Sequence, residues 1–412
     1  MGCRCSTSCR SACSSSDMEA RRPKVVHLIT RLELGGAQQN TLYCAKHHDR
    51  ARFSVGLWAG QGGQLDDEAR ALVDTDVQLL PWLHHPIDPF RDARAIARLA
   101  SMLEGVDLLH THSSKAGIVG RTAARLAGVR AVVHTVHGWS FNDVQPALTR
   151  RAFIEAERAA ARMTDRIVCV SAADRDRGLS AGIGHAAQYT ILRSGIDPAL
   201  YTAPPGARDR VRASLGASPG DVVVGSIANF KPQKGPLDFV ECARLACERD
   251  SRLRFFVAGD GPMRGDVERA IARAGLQATV HLLGWRDDVA ELFAAMDVFL
   301  LTSLFEGLPR VVLQAIAASV PVVATHTGGV AEVVTPGVTG ELVPPGRPED
   351  AAAVVVALAA DAERRRRLAQ AAVAALGAEF DIRIMVRRLE ALYDELLTAT
   401  PASHLGSLPS KH

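Results

Sequence analysis

Little in this 412-residue chain suits nucleic acid, a membrane span or a metal. Net charge is only +3 and no dense basic tract appears, so the electrostatic footprint of a nucleic-acid binder is missing. No apolar run approaches the ~20 residues of a membrane span, and no apolar h-region marks a secretory signal. The cysteines lack the CxxC spacing of a zinc cage. Cys44, Cys169, Cys242 and Cys247 sit in apolar or helical contexts and read as free thiols of a reducing cytosol. The first strand-to-helix turn is not G-x-G-x-x-G, so a dinucleotide fingerprint is absent, and nothing resembles HExxH.

What is present is globular: 47% hydrophobic and 23% charged residues, in a chain too long for one ordinary core. Two domains are expected. Residues 1–22 are Ser- and Cys-rich, lack apolar periodicity, and are expected to be disordered. Gly2 with Ser6 fits the loose myristoylation pattern, with Cys3 and Cys5 nearby for palmitoylation; the competing reading is an upstream start artefact, with translation from Met18. The tail 401–412 is expected to be loose.

Strand-like apolar runs at 24–30, 53–59, 77–80, 106–111, 131–135, 166–170 and 189–192 alternate with helical patterns. Such alternation predicts a parallel sheet covered on both faces. Gly35 and Gly36 follow the first strand and permit close backbone approach to a ligand. Histidines crowd two strand ends, His110 with His112 and His134 with His137. No carboxylate accompanies them at ligand spacing, which opposes a metal site. His137, before Gly138 and Trp139, is the useful one: a neutral imidazole there suits a sugar hydroxyl or a developing charge, the plain alternative being a structural histidine. The helix predicted at 146–164 carries Arg150, Arg151, Arg158 and Arg162 and reads as a solvated face with Glu155 and Glu157 as partners.

A turn-rich stretch around 203–220 predicts the interdomain connection. A second series follows, with strands at 222–229, 253–258, 279–283, 297–302 and 321–325. Its ligand-edge turns carry Asn229, Lys231 and Lys234, then Gly261, then Glu306, Gly307 and Leu308, then Gly328 and Gly329. Lysines for charge and glycines for close approach predict a nucleotide-diphosphate pocket. Glu306 opens a helix whose N-terminus favours anions, so it is expected to face a neutral, hydroxyl-rich group; a helix cap is the alternative.

These motifs in order resemble the family 4 retaining glycosyltransferases of the GT-B fold. They are Gly35-Gly36, His137-Gly138, Lys234-Gly235, Gly259-Asp260-Gly261-Pro262, Ser303-x-x-Glu306-Gly307 and Gly328-Gly329-x-x-Glu332. The resemblance implies an α/β chain of two Rossmann-like domains facing across a cleft, at 23–200 and 201–381, with a last helix at 382–398 returning to the first. It assigns Glu306 to the transferred sugar and Lys234 to the diphosphate, and points to donor contacts at Gly35, Gly36, Gly261, Gly307 and Leu308. Three positions depart from the family, one being Ser194, which stands for the Asn of the usual Asn-Gly-Ile-Asp in Ser194-Gly195-Ile196-Asp197. Gln314 stands where a Glu binds the ribose, and Asn229 stands where an Arg helps the Lys, leaving Lys231 as the substitute cation. The implied reaction transfers a sugar from a UDP-sugar or GDP-mannose to a glycan or lipid-linked acceptor of a cell-surface polysaccharide. It needs no cofactor or metal, and runs in the cytoplasm with loose contact at the inner face of the membrane. A GT-B nucleotide-sugar epimerase, a histidine-metal hydrolase and a non-catalytic sugar-binding protein are the other readings.

Overall fold

The computed structural model describes residues 21–143 and 145–399. The expectations for residues 1–20, lipidation included, and for the tail from 401 lie outside the described residues. Two parallel sheets form. The first holds β1 (Lys24–Ile29), β2 (Ser54–Gly60), β3 (Thr75–Leu80), β4 (Leu108–His112), β5 (Ala131–Val136), β6 (Arg166–Cys169) and β7 (Tyr189–Ile191), in the order 3-2-1-4-5-6-7. The second holds β8 (Val222–Ile227), β9 (Leu253–Ala258), β10 (Val280–Leu282), β11 (Val298–Leu301), β12 (Val322–Thr325) and β13 (Glu341–Val343), in the order 10-9-8-11-12-13. The central strands are buried without alternation because helices cover both faces; β4, β5, β11 and β12 are buried along their whole length, the histidines and threonines of β4 and β5 included. In each sheet the order reverses at one place, between β1 and β4 and between β8 and β11. Crevices at the carboxyl ends of strands beside such a reversal are where ligands bind in open α/β sheets.

Two elements escape the sequence reading and one is misjudged. The helix Ala207–Ser214 occupies part of the stretch expected as a turn-rich connection; Val211 packs into the core of the second unit, and Arg208 and Arg212 anchor the helix on Asp297 at 2.6 and 2.8 Å. β13 is only three residues long, too short to show a period. In the helix Ala147–Ala161, Glu157 is no surface partner for neighbouring arginines. It is buried and pairs with buried Arg121 at 2.6 Å, while Arg158 reaches Glu155 at 2.8 Å.

The last helix, Ile382–Thr398, follows a bridge between the units: Ile196 N–H donates to Phe380 O at 2.8 Å and Ile382 N–H to Ile196 O at 3.0 Å. Asp381 caps it through the Arg383 amide. Its apolar stripe, Met385, Val386, Leu389, Leu392 and Tyr393, packs with Val25, Leu42 and Val133 of the first unit. Leu389→Ala there would cost about 2–5 kcal/mol. Among the described residues, no helix is long and apolar enough to cross a membrane.

Candidate functional site

The loops after β8 and β11 flank the reversal of the second sheet, and each supplies one charge. Lys234 Nζ donates to Glu306 Oε1 at 2.5 Å, and Ser303 Oγ donates to the same oxygen at 2.6 Å. The Glu306 side chain is 6% exposed and that of Lys234 is 20% exposed. The lysine offsets the charge by which this carboxylate would repel a phosphate at the helix entrance. Gly307 brings this loop against the first unit, since a Cβ there would lie 2.7 Å from His137 O. Gly328, with φ +51, lets the loop after β12 pass so close that a Cβ would lie 1.9 Å from Glu306 O.

A cavity of about 320 Å³ opens where the units meet, lined by His137, Trp139, Asp174, Gln233, Glu306 and Gly307 among others. Burial, then the charge of Arg310, draws the His137 imidazole down to about 4, so it is neutral at pH 7. Asp174 moves the other way. Burial pushes its carboxyl up to about 7 despite a 2.7 Å hydrogen bond from Ser171 Oγ. The sequence reading missed Asp174, whose spacing after Ser171 is that of an ordinary helix cap, a bond it also makes.

Other candidates are dispersed. Asn229 and Lys234 line a small neighbouring pocket, and Asn229 Oδ1 is buried with no partner among the described residues. Gly261 packs against the Phe230 backbone. Lys231 is paired like Lys234, but across the units: its ammonium meets Glu33 of the first unit at 3.0 Å. That bond and the Lys231 charge hold the Glu33 carboxyl below its usual range although burial alone would raise it. The Leu308 side chain is buried with Val170, Ile196 and Leu313, leaving only its backbone for a ligand.

Gln314 departs from expectation. The helix begins only at Arg310, so residues 306–309 do not follow helical spacing and Gln314 is not carried round to the side of Glu306. It does not line the cavity and lies near the Tyr201 hydroxyl. Arg310 was also missed. It crosses to the first unit, donating to Gly195 O at 3.1 Å, to Gly36 O at 3.4 Å and to Gln39 Oε1 at 3.3 Å. Gly36 thus meets the second unit through Arg310, which has no carboxylate partner among the described residues, whereas Gly35 meets only Gln38. A cation in the first turn of a helix opposes the dipole, and that was the available signal.

His27, His110 and His112 bring ring nitrogens within 4.8 Å of one another, the spacing of a metal cage. Their nitrogens are all engaged, however. His27 bonds His112 and His48, His112 bonds His27 and His137, and His110 bonds Tyr393 and Thr135. A metal would have to break this network, so the residues do not fit the hydrolase reading.

Comparison with known proteins agrees along both units. The model of glycosyl transferases group 1 matches residues 207–374, and that of Glycosyltransferase Family 4 matches residues 34–200. The UDP-Gal:alpha-D-GlcNAc-diphosphoundecaprenol alpha-1,3-galactosyltransferase of Escherichia coli is 30% identical over 315 residues, 74% of this chain and 80% of that protein. The alpha-maltose-1-phosphate synthase of Mycolicibacterium smegmatis is 27% identical over 306 residues, 68% and 78% of the two chains. Among solved structures, HepE of Anabaena in complex with UDP-glucose superposes with a TM-score of 0.79 at 24% identity, covering 90% of this chain and 99% of that one. WaaG, a glycosyltransferase involved in lipopolysaccharide biosynthesis, gives 0.71 at 17% identity with the same coverage. At these identities the structures speak for the fold.

Proposed function

The chain belongs to the family 4 glycosyltransferases of the GT-B fold, and on that premise we propose that it transfers a hexose, with retention, from a uridine-diphosphate donor to a lipid-linked glycan acceptor. The observation that carries this reading is the Lys234–Glu306–Ser303 cluster at the reversal of the second sheet, opposite His137. The names of the Escherichia coli relative and of the Anabaena complex support uridine as the base and a diphospholipid-linked acceptor.

In this reading the donor diphosphate takes the ammonium of Lys234, and Glu306 and neutral His137 turn to sugar hydroxyls. The bond from the anomeric carbon to the diphosphate oxygen breaks while the acceptor oxygen bonds that carbon on the same face. The acceptor proton passes to the departing phosphate oxygen, so no protein base is required. Lys234 stabilises the charge that develops on that oxygen. Asn229 Oδ1 offers an acceptor to a hydroxyl or N–H of the nucleotide. The scheme invokes no metal or other cofactor. Exposed Phe90 and Leu148, the latter opening the helix with Arg150 and Arg151, support contact with an anionic membrane surface.

The test is turnover of UDP-hexoses with and without a diphospholipid-linked sugar. Transfer only when the acceptor is present, lost in Lys234→Ala, is expected. Conversion of the donor alone would identify an epimerase, and failure of every nucleotide sugar to bind would end the reading.

A further inference from the structure

A line of imidazoles runs from the cavity to the last helix. His137 Nε2 meets His112 Nδ1 at 3.2 Å, His112 Nε2 meets His27 Nδ1 at 3.0 Å, His27 Nε2 meets His48 Nε2 at 2.9 Å, and His48 Nδ1 meets Glu390 Oε1 at 3.1 Å. The rings stack along the line, with centroids 5.4, 5.3 and 5.1 Å apart and planes 29°, 18° and 23° from parallel. Only His137 figures in the transfer scheme. The remainder lie beneath the sheet edge on β1, β4 and the end of the helix Gly36–His47, and Glu390 comes from the far end of the sequence.

The bonds have a direction. Burial draws all of these imidazoles down, so each is neutral at pH 7 and has one N–H and one lone pair. Glu390 is ionised. Burial pushes its carboxyl up, but the bonds from His48 and the Asp49 amide and the charge of Arg52 hold it below its usual range. The Asp49 N–H donates to Oε1 at 2.8 Å and Arg52 Nη1 to Oε2 at 3.0 Å. A carboxylate only accepts. His48 therefore donates from Nδ1 and has a bare Nε2, which His27 must fill with its Nε2–H. His27 is then bare at Nδ1, so His112 donates from Nε2, and by the same step His137 donates from Nε2. Nδ1 of His137, to which no described residue bonds, is left with a lone pair.

We propose that Glu390 is a positioning residue that, through His48, His27 and His112, fixes His137 as the Nε2–H tautomer and so makes this part of the cavity wall a hydrogen-bond acceptor. The group that His137 recognises is then a hydroxyl that donates, as on a neutral hexose. A carboxylate, as on a uronic acid, would meet a lone pair. The tautomer assignment stands without the transfer reading; the consequence for sugar choice rests on it.

Nitrogen NMR of the full chain labelled at histidine tests this directly, because protonated and bare ring nitrogens give well-separated signals. The expected pattern is N–H at Nε2 of His137, His112 and His27 and at Nδ1 of His48. An N–H at Nδ1 of His137, or an imidazolium in the line at pH 7, overturns the proposal. Glu390→Gln and Glu390→Ala separate positioning from simple anchoring. Both lose the charge that holds Arg52, but glutamine keeps an oxygen for His48, and the Asp49 amide holds that oxygen in place. Glu390→Gln should keep the His137 tautomer and the kcat for a neutral UDP-hexose. Glu390→Ala should mix the tautomers and lower kcat about tenfold, the worth of one neutral hydrogen bond. Equal behaviour of the two variants overturns the role of Glu390. The wild-type spectrum decides the case alone if Glu390→Ala does not fold. The expected spectrum from a protein that turns over no nucleotide sugar would uphold the tautomer lock and dismiss the transfer reading.

Discussion

Replacing Glu306 with glutamine should tighten the binding of UDP while nearly abolishing transfer. Lys234 Nζ lies 2.5 Å from Glu306 Oε1, so a diphosphate must draw the ammonium away from a rival anion. A hydrogen bond to a charged group contributes about 1.5–3 kcal/mol. With the lysine side chain 20% exposed, solvent screening puts this pair at the lower end. Glutamine leaves the ammonium only a neutral oxygen in place of the rival charge and ends the repulsion between carboxylate and diphosphate, so UDP should bind about tenfold tighter. Transfer loses the carboxylate contact to the sugar and should fall about a hundredfold, the scale seen when one polar group that stabilises a transition state is removed. Calorimetric titration with UDP and acceptor-dependent turnover of UDP-hexose read the two quantities on one preparation. Opposite movement is the signature. Unchanged or weaker UDP binding in a folded Glu306→Gln protein would refute the argument that Lys234 is shared between Glu306 and the diphosphate.

Arg310→Ala should raise the KM for the donor about tenfold with less effect on kcat, because it frees the Gly36 loop; Arg310→Lys should not restore it, since one ammonium cannot reach Gly195 O, Gly36 O and Gln39 together, and steady-state kinetics would show either outcome. Gln314→Glu should raise Tm by about 1–3 °C without loss of UDP affinity, because the new carboxylate lies four residues after Arg310, which has no carboxylate partner among the described residues, and near the Tyr201 hydroxyl; a fall in Tm would contradict this. Asp174 has a folded value of about 7, above the ~3.9 of an unfolded aspartate, so its native proton stabilises the fold fully below about pH 4 and that stability is lost as pH rises to about 7. Asp174→Asn should flatten this part of the Tm–pH profile and stabilise the protein most above pH 7; an unchanged slope would count against it.

The sheets were legible because buried parallel strands write themselves as short apolar runs. β8 and β11 were found within two residues, and with them the loops that carry Lys234 and Glu306. The helix Ala207–Ser214 was not, since ARDRVRAS shows too few apolar residues for a period and its anchor, Asp297, is remote in sequence. The candidate site was legible as a set of residues but not as a set of bonds. Lys234 and Glu306 each drew attention, yet their pairing spans 72 positions, and the bond of His48 to Glu390 spans 342. Gln314 shows the limit of spacing arguments: eight residues span two helical turns only if the helix has already begun. The want of a carboxylate beside the histidines at 110, 112, 134 and 137 already opposed a metal, but spacing could not show the bonds that His110 makes to Tyr393 and Thr135, His134 to Thr111, and His112 to His27 and His137.

The configuration of the product tests the account's central claim most directly. Proton NMR of the glycan formed from an α-linked UDP-hexose and a diphospholipid-linked acceptor should show an α linkage, formed by the wild-type protein and not by Glu306→Ala. A β-linked product would contradict same-face transfer, and equal yield from Glu306→Ala would contradict the placement of the reaction at the Lys234–Glu306 pair.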